Sequence, residues 1–111
     1  MIGDSNENVM GADNGDDIMS GKDAGDTMAG ADGNDVMSGG NGDDRMAGSL
    51  GSDRITGGQG SDEIFHGISE EGTNPDGGKD AIDCGSGNDE AWINVSVDHD
   101  LVTNCEIVHS G

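Results

Sequence analysis

Aromatic and basic residues are both scarce in this chain. Only Phe65 and Trp92 of its 111 residues are aromatic, four residues are Lys or Arg, and apolar residues make up 30%. Glycine contributes 22 residues, so too little apolar area is available to offset the ordering of a flexible backbone. The length predicts one domain, but its fold needs a source of stability other than a conventional core.

Acidic residues dominate the charge. Twenty-four acids against four bases give a formal net charge of −20, which should expand the chain by self-repulsion unless cations bind. The same charge repels phosphate backbones and anionic lipid, so it argues against nucleic acid and membrane partners. No apolar run approaches the roughly 18 residues of a membrane span. The start, Met1 to Ser5, lacks the basic and apolar regions of a signal peptide.

A nine-residue repeat organises the chain from Gly3 to Phe65. Position 8 is always large and aliphatic: Met10, Met19, Met28, Met37, Met46, Ile55 and Ile64. Position 6 is Asn8 and then Asp17, Asp26, Asp35, Asp44, Asp53 and Asp62. Gly occupies position 1 in every repeat except for Ala12, and position 4 except for Asn6 and Ala24.

This period predicts a β-solenoid. Nine residues make two and a half helical turns, so a helix would change its buried face at every repeat. A Gly/Asp-rich turn followed by a short strand with one inward side chain suits the pattern instead. Two repeats would form one coil of eighteen residues. The alternative is a disordered low-complexity linker, but seven aliphatic residues in phase argue against it when cations are present.

Two segments match a known repeat pattern, G-G-x-G-x-D-x-U-x. They are residues 39–47 (GGNGDDRMA) and 57–65 (GGQGSDEIF). The chain thus resembles the RTX (repeat-in-toxin), or hemolysin-type, calcium-binding nonapeptide repeat family, strongly over residues 3–65 and more weakly over 75–92. The resemblance implies an all-β fold, a right-handed parallel β-roll with two nonapeptide half-coils per 18-residue coil, to which we add a C-terminal cap.

The resemblance also implies the calcium ligands. In the family, Ca²⁺ lies between successive turns on the same side and is bound by carbonyls at positions 2 and 4 and by the Asp at position 6. The corresponding sets are Asp13, Gly15 and Asp17; Ala31, Gly33 and Asp35; Gly40, Gly42 and Asp44; Ser49, Gly51 and Asp53; and Gly58, Gly60 and Asp62. Asp26, Asp80 and Asp89 also occupy position 6.

The spacing divides the position-6 residues between two edges of the roll. Same-side turns lie eighteen residues apart, so Asp17, Asp35 and Asp53 should share one edge and Asp26, Asp44 and Asp62 the other. Two departures weaken the pattern. Asn8 is neutral and should weaken the first site, and Lys22 with Ala24 should disturb the turn of the third repeat.

The chemistry of the repeat itself favours Ca²⁺. This ion takes 6–8 oxygens with tolerant geometry, whereas Mg²⁺ demands a strict octahedron. Zn²⁺ and copper prefer His or Cys, which residues 3–65 do not contain. We expect several ions, roughly four to seven from the oxygen demand of each ion, and a chain that is unfolded without them.

The remaining segments depart from the repeat. We interpret 1–65 as the calcium-binding roll, 66–78 as a surface loop that occupies a half-coil, 79–92 as a continuation of the roll and 93–111 as a capping segment. Residues 93–97 alternate as a strand does. The cluster Asp98-His99-Asp100 is interpreted as a turn between strands, with a metal or catalytic cluster as the alternative.

Cys84 and Cys105 are the only cysteines. Their surroundings resemble the terminal segment of some exported bacterial repeat proteins, which implies a disulfide between them; two free buried thiols are the alternative. A disulfide would indicate an oxidising compartment. It would therefore agree with a secreted or cell-surface bacterial protein.

No enzyme motif is present. The nucleophile elbow, the P-loop and the EF-hand all lack required residues, so we expect no catalytic residues. The favoured function is a calcium-binding structural module, and a neighbouring domain of a longer protein is a conceivable partner. The alternatives are an adhesin or surface-binding module, using outward residues such as Arg45, Arg54, Thr56 and Phe65, and a fragment of an RTX lipase or protease with its catalytic domain elsewhere.

Overall fold

A computed structural model describes residues 1–65, 81–93 and 101–110. Within these ranges the chain forms strands and turns, and no helix. The strands are β1 (Val9–Gly11), β2 (Ile18–Asp23), β3 (Thr27–Asp32), β4 (Val36–Asn41), β5 (Arg45–Leu50), β6 (Arg54–Gln59), β7 (Glu63–Phe65), β8 (Ala81–Ser86), β9 (Glu90–Ile93), β10 (Leu101–Thr103) and β11 (Ile107–Ser110).

Two parallel sheets contain all eleven strands. Odd-numbered strands form one sheet in the order β1-β3-β5-β7-β9-β11, and even-numbered strands form the other in the order β10-β8-β6-β4-β2. The chain therefore crosses to the opposite sheet after every strand. Met19 pairs with Met37 in one sheet and Met28 with Met46 in the other, each eighteen residues apart. The predicted all-β parallel roll, with two nonapeptides per coil, is confirmed.

The aliphatic residues at position 8 form the core between the sheets. In β1 to β9 the position-8 side chain is buried while the residue before it is more exposed. The core residues are Met10, Met19, Met28, Met37, Met46, Ile55, Ile64, Ile82, Cys84 and Ala91. Met10, in the first coil, is 8% exposed, whereas the others are at most 1% exposed. Methionine fills such a core because its flexible side chain adapts to irregular gaps.

The register changes by one repeat between β7 and β8. Ile55 pairs with Ile82 and Ile64 pairs with Ala91, and both separations are 27 residues instead of 18. The nine extra residues thus add no strand between the paired coils. The interpretation that 66–78 occupies a half-coil is wrong, because β8 stacks directly on β6. Residues 66–80, including Pro75, Gly77, Gly78 and the expected ligand Asp80, lie outside the described residues.

The C-terminal segment continues both sheets. β10 pairs in parallel with β8, and β11 pairs in parallel with β9. The described part of the predicted capping segment therefore forms a last coil whose sequence has left the nonapeptide repeat. Most of the strand expected at 93–97, and the Asp98-His99-Asp100 cluster, lie outside the described residues.

Candidate metal-binding turns

The described turns of the third to seventh repeats share one backbone feature. Positions 2 and 4 adopt positive φ, as at Gly40 (φ 104°) and Gly42 (φ 123°), a region that glycine enters without steric cost. Lys22 (φ 86°) and Ala24 (φ 77°) keep this conformation without being glycine. The expectation that they disturb their turn is wrong, since Lys22 still pairs in register with Gly40. The sequence departs from glycine there at the cost of backbone strain.

The expected ligands on the other edge have this conformation too, with one exception. Ala31 (φ 78°) and Gly33 (φ 137°) adopt it in one turn, and Ser49 (φ 84°) and Gly51 (φ 118°) adopt it in the next turn on that edge. Asp13, at position 2 of the second repeat, does not have positive φ. The turn conformation expected of these ligands is therefore complete in the fourth and sixth repeats, but only half present in the second.

Carbonyl oxygens at positions 2 and 4 point along the stack toward the next same-side turn. A Cβ built on Gly42 would meet the carbonyl oxygen of Ala24, and one built on Gly58 would meet that of Gly40. The same relation holds for the carbonyls of the expected ligands Gly15, Gly33, Gly42, Gly58 and Gly60. At these glycines an added Cβ would crowd the space between turns that the carbonyl oxygens face.

On the edge of Asp53, the described carbonyl contacts between same-side turns extend as far as the expected ligand Gly51. A Cβ built on Gly51 would meet the carbonyl oxygen of Gly33, so Gly51 receives the preceding turn as the other glycines do. The next turn on that edge leads into β8 and lies among residues 66–80, outside the described residues. The structure therefore places Gly51 opposite Gly33, while the ligand role expected of its own carbonyl stays a prediction.

The position-6 carboxylates form two ladders, one along each edge of the roll. The backbone N–H of Asp17 donates to Oδ1 of Asp35 at 2.8 Å, and that of Asp35 donates to Oδ1 of Asp53 at 2.8 Å. On the other edge, the donors Asn8, Asp26, Asp44 and Asp62 reach the carboxylates of Asp26, Asp44, Asp62 and Asp89 at 2.7–2.9 Å. The predicted division of these residues between two edges is present, and Asp89 extends the second one.

The second oxygen of these carboxylates has no hydrogen-bond donor. The Oδ2 atoms of Asp26, Asp35, Asp44, Asp53, Asp62 and Asp89 are all buried and unpartnered. Each residue as a whole is at most 3% exposed. A buried carboxylate oxygen without a partner is strongly disfavoured, so these oxygens are the feature of the fold that most requires a ligand.

Four of the six orphaned oxygens, those of Asp26, Asp35, Asp44 and Asp62, converge with a backbone carbonyl beside the position-1 glycine. A Cβ built on Gly39 would lie 2.6 Å from the carbonyl oxygen of Gly57 and still closer to Oδ2 of Asp44. Gly21, with Asp26 and the Gly39 carbonyl, repeats the arrangement. The position-1 carbonyl is thus a candidate ligand that the sequence analysis missed, although the glycines at position 1 were its visible signal.

Burial and mutual repulsion disfavour ionisation of these carboxyl groups. Burial raises the pKa of Asp44, and the nearby charge of Asp26 adds to the effect. Burial likewise raises the pKa of Asp62 to about 6, with Asp44 and Asp89 contributing repulsion. The pKa of Asp89 is raised by burial and by Glu106. Ionisation of the ladder therefore costs free energy unless a cation neutralises its charge.

The donor set is suited to a hard cation. Within the described ranges no group of three or more His, Cys, Asp or Glu side chains converges on one point, so an ion must take most of its ligands from backbone carbonyls. Carboxylate and carbonyl oxygens are the ligands that Ca²⁺ prefers, and Ca²⁺ tolerates the irregular geometry of a turn. The residues that the structure describes therefore fit calcium between same-side turns.

The first and last coils modify the ladder on the edge of Asp26. Asn8 places its Oδ1 beside Gly3 as the aspartates do beside their own glycines, but this oxygen accepts the N–H of Asp4 at 2.8 Å. Asn8 thus occupies the same position as the aspartates but carries no charge. In the last coil, Oε2 of Glu106 accepts the N–H of Asp89 at 2.9 Å. Glu106 was not among the predicted ligands, although Glu106-Ile107-Val108 repeats the acid-x-aliphatic pattern of positions 6 to 8.

A second set of side chains at position 5 links the coils in the opposite direction. Oδ1 of Asp16 accepts the N–H of Asn34, and Oδ1 of Asn34 accepts the N–H of Ser52, both at 2.8 Å. On the other edge, Oδ1 of Asp43 accepts the N–H of Ser61 at 2.8 Å. These side chains are exposed. They satisfy backbone donors without burying further charge.

Cys84 and Cys105 form a disulfide, as the resemblance implied, with their Cα atoms 5.1 Å apart. Cys84 is fully buried at position 1, where the repeats have glycine or alanine, and Cys105 precedes Glu106. The bridge closes a loop of about 22 residues, which the chain-entropy model values at roughly 3 kcal/mol. It joins the last repeat to the non-repeat coil that follows.

Comparison with known protein families gave one match. The model of the RTX calcium-binding nonapeptide repeat (4 copies) matches residues 11–46 and again residues 38–68, which together are more than half of the chain. Comparisons with curated proteins and with solved structures gave no match. Within the described part of the chain, no helix has the length and apolarity that crossing a membrane requires.

Proposed function

The chain belongs to the RTX calcium-binding nonapeptide repeat family, and we propose that it is a module that folds when calcium binds and that acts as a structural element of an exported bacterial protein. Its proposed ligands are the position-6 aspartates with the carbonyls of positions 2 and 4 in neighbouring same-side turns. Asp44, with the carbonyls of Gly40 and Gly42, is the clearest instance.

The six buried carboxylate oxygens without a donor carry this proposal. An unsatisfied buried polar group costs about 1–3 kcal/mol, and more when charged. Six of them therefore cost on the order of 6–18 kcal/mol, comparable to the whole stability of a typical domain, about 5–15 kcal/mol. A metal-free roll should not be stable at neutral pH. Calcium between the turns removes this cost and couples binding to folding.

A calcium titration followed by circular dichroism tests the coupling. In excess EDTA at neutral pH we expect a disordered spectrum, and on adding Ca²⁺ a cooperative gain of β-sheet signal. Mg²⁺ serves as the control and should be far less effective. A β-sheet signal that EDTA leaves unchanged would refute the proposal. Native mass spectrometry of the folded protein should then count several bound ions, with four to seven as a rough estimate from oxygen demand.

The proposed location is extracellular. RTX repeats are typical of secreted bacterial proteins, and the disulfide between Cys84 and Cys105 is the kind of bond that persists in oxidising compartments. The weak affinities of extracellular calcium modules, about 10⁻⁴–10⁻³ M, would leave the chain unfolded where calcium is scarce and folded after export. Stabilisation of a neighbouring domain is the role that we favour. If the chain is part of an RTX lipase or protease, that neighbour would be the catalytic domain.

A stacked aromatic pair favours surface binding as a second candidate function. Phe65 and Trp92, the only aromatic residues of the chain, stack with ring centroids 4.7 Å apart. They occupy outward position 9 of neighbouring strands, and Phe65 is 37% exposed. A Phe65→Ala variant that keeps its calcium-dependent fold but loses binding to a glycan array would support this function. Absence of any glycan binding by the folded protein would count against it.

A further inference from the structure

We propose that Asp89 and Glu106 form a terminal calcium site in the last coil, beyond the residues that match the family. This inference rests on the proposed calcium function and extends it to a glutamate outside the repeats. The Cys84–Cys105 disulfide positions Glu106 in this site.

Asp89 has one committed and one free carboxylate oxygen. Its Oδ1 accepts the N–H of Asp62 at 2.8 Å, while its Oδ2 is buried without a partner. The residue as a whole is 0% exposed. Its own N–H donates to Oε2 of Glu106, so the two carboxyl groups belong to consecutive coils on the same edge. Asp89 therefore relates to Glu106 as Asp62 relates to Asp89.

Glu106 places a second carboxylate next to the coil of the buried Asp89. Its carboxylate lies near enough to that of Asp89 for the two to interact directly. Residues 81–111 contain no Lys or Arg, so no ammonium or guanidinium group of this segment neutralises the pair. A cation from solution would stabilise both carboxylates in their ionised form, including the one that is fully buried.

Backbone oxygens of the turn before Asp89 are further candidate ligands by analogy with the repeats. Gly85 (φ 93°) and Gly87 (φ 138°) repeat the turn conformation of positions 2 and 4, and this turn leads directly to Asp89. The carbonyls at the same positions in the repeats face the next same-side turn. With two carboxylates of different coils and these carbonyls, the site offers only oxygen ligands, which selects a calcium-like cation over a transition metal.

The disulfide joins the two halves of the site. Cys84 directly precedes the turn that begins at Gly85, and Cys105 directly precedes Glu106. The bond therefore limits how far the glutamate can move from the turn. Reduction of the disulfide should weaken this site before it weakens the sites of the central repeats, which contain no cysteine.

A Glu106→Gln variant separates the effect of the carboxylate charge from the effect of the hydrogen bond to Asp89. Glutamine retains an oxygen that can accept the N–H of Asp89, but it lacks the negative charge. The matched control is Glu90→Gln, because Glu90 lies beside Asp89 at outward position 7 and its substitution changes the net charge equally. Native mass spectrometry should count one Ca²⁺ fewer in Glu106→Gln and an unchanged number in Glu90→Gln. An equal count in all three proteins would overturn the inference.

Terbium provides a local readout, because Trp92 is the only tryptophan and lies three residues after Asp89. Tb³⁺ bound in the last coils should show luminescence sensitised by Trp92, and Glu106→Gln or disulfide reduction should weaken the tightest phase of this signal at least tenfold. An unchanged phase would overturn the inference. A wild-type protein that binds no Ca²⁺ would instead refute the proposed function.

If Glu106→Gln does not fold, the variant Glu106→Asp tests the ligand role instead, because it keeps the carboxylate on a shorter side chain. If Glu106→Gln is unfolded in calcium, recovery of the fold and of the ion count in Glu106→Asp would support a ligand role. Failure of Glu106→Asp to recover either would count against it.

Discussion

Replacement of Asp44 by Asn should have opposite effects with and without calcium. The Asn side chain keeps an oxygen for the N–H of Asp26, which Asp44 accepts at 2.8 Å, but removes the charge of a residue that is 2% exposed. Asn8 shows that the same edge accommodates this amide. In chelator the variant should be more stable by about 1–3 kcal/mol, the cost of one unsatisfied buried group.

In saturating calcium the sign reverses. Asp44 lies between the turns of Asp26 and Asp62, so its carboxylate borders two spaces between coils. A site at one hundred times its Kd contributes about 2.7 kcal/mol, and loss of two such sites should cost roughly 5 kcal/mol. Thermal unfolding in calcium, and in chelator with a stabilising osmolyte, measures both effects. Calorimetry should show two ions fewer.

The control is Asp43→Asn, at the adjacent position. Asp43 is exposed, and its Oδ1 accepts the N–H of Ser61, a bond that Asn preserves. This variant changes the net charge equally but removes no buried carboxylate, and the charge of Asp43 only adds to the pKa shifts of Asp44 and Asp62. Its stability should therefore change much less than that of Asp44→Asn in both conditions. If the two variants behave alike, the buried carboxylates are not calcium ligands and the reasoning fails.

Three further predictions concern the turns. Gly39→Ala should lower the free energy of unfolding in calcium by at least about 3 kcal/mol, because its Cβ would overlap Oδ2 of Asp44. The control Gly11→Ala should be tolerated, since nothing lies within 4 Å of the new Cβ. Equal melting temperatures of the two variants would contradict this prediction. Ala24→Gly should stabilise the folded protein by about 1 kcal/mol through relief of strain at φ 77°, and a lower melting temperature would refute that explanation. In EDTA, lowering the pH should favour the fold: the pKa of Asp62 is about 6 when folded against 3.8 as its ordinary value, so its destabilising effect is fully present above about pH 6 and is lost as the pH falls toward 3.8. Circular dichroism against pH should show β-sheet signal appearing in that window, and a signal that declines would show the opposite sign.

The repeat pattern predicted most of the fold because the aliphatic side chain at position 8 of each nonapeptide must be buried between the sheets. Position 8 must be inside, so Met19, Met37 and Ile55 in phase specify one sheet. The register across 66–80 was mispredicted for the same reason. Asp89 and Ala91 keep the nine-residue phase whether the intervening repeat forms a half-coil or not, and only strand pairing distinguishes these cases.

The candidate site was predictable in its charges but not in its backbone oxygens. A carboxylate ligand is visible in the sequence as Asp or Glu. The carbonyl of Gly57, which lies beside Asp44, becomes a candidate ligand only when coils eighteen residues apart are stacked. Glu106 was missed because its spacing from Asp89 is 17 residues, out of phase with the repeat. A search for an acid two residues before an aliphatic residue, without a fixed period, would have found it.

The ladder implies that calcium ions bind cooperatively along each edge. Every interior aspartate uses Oδ1 to hold the preceding coil and leaves Oδ2 for an ion, so an ion that orders one turn also places the acceptor for its neighbour. The edge that runs from Asp26 to Glu106 has an acid in every coil, and its links are continuous through the described residues. The other edge passes from Asp53 into residues 66–80. Loss of one interior carboxylate should therefore lower the Hill coefficient of the folding titration more than loss of Glu106 at the end. Equal Hill coefficients for Asp44→Asn and Glu106→Gln would mean that the sites fill independently.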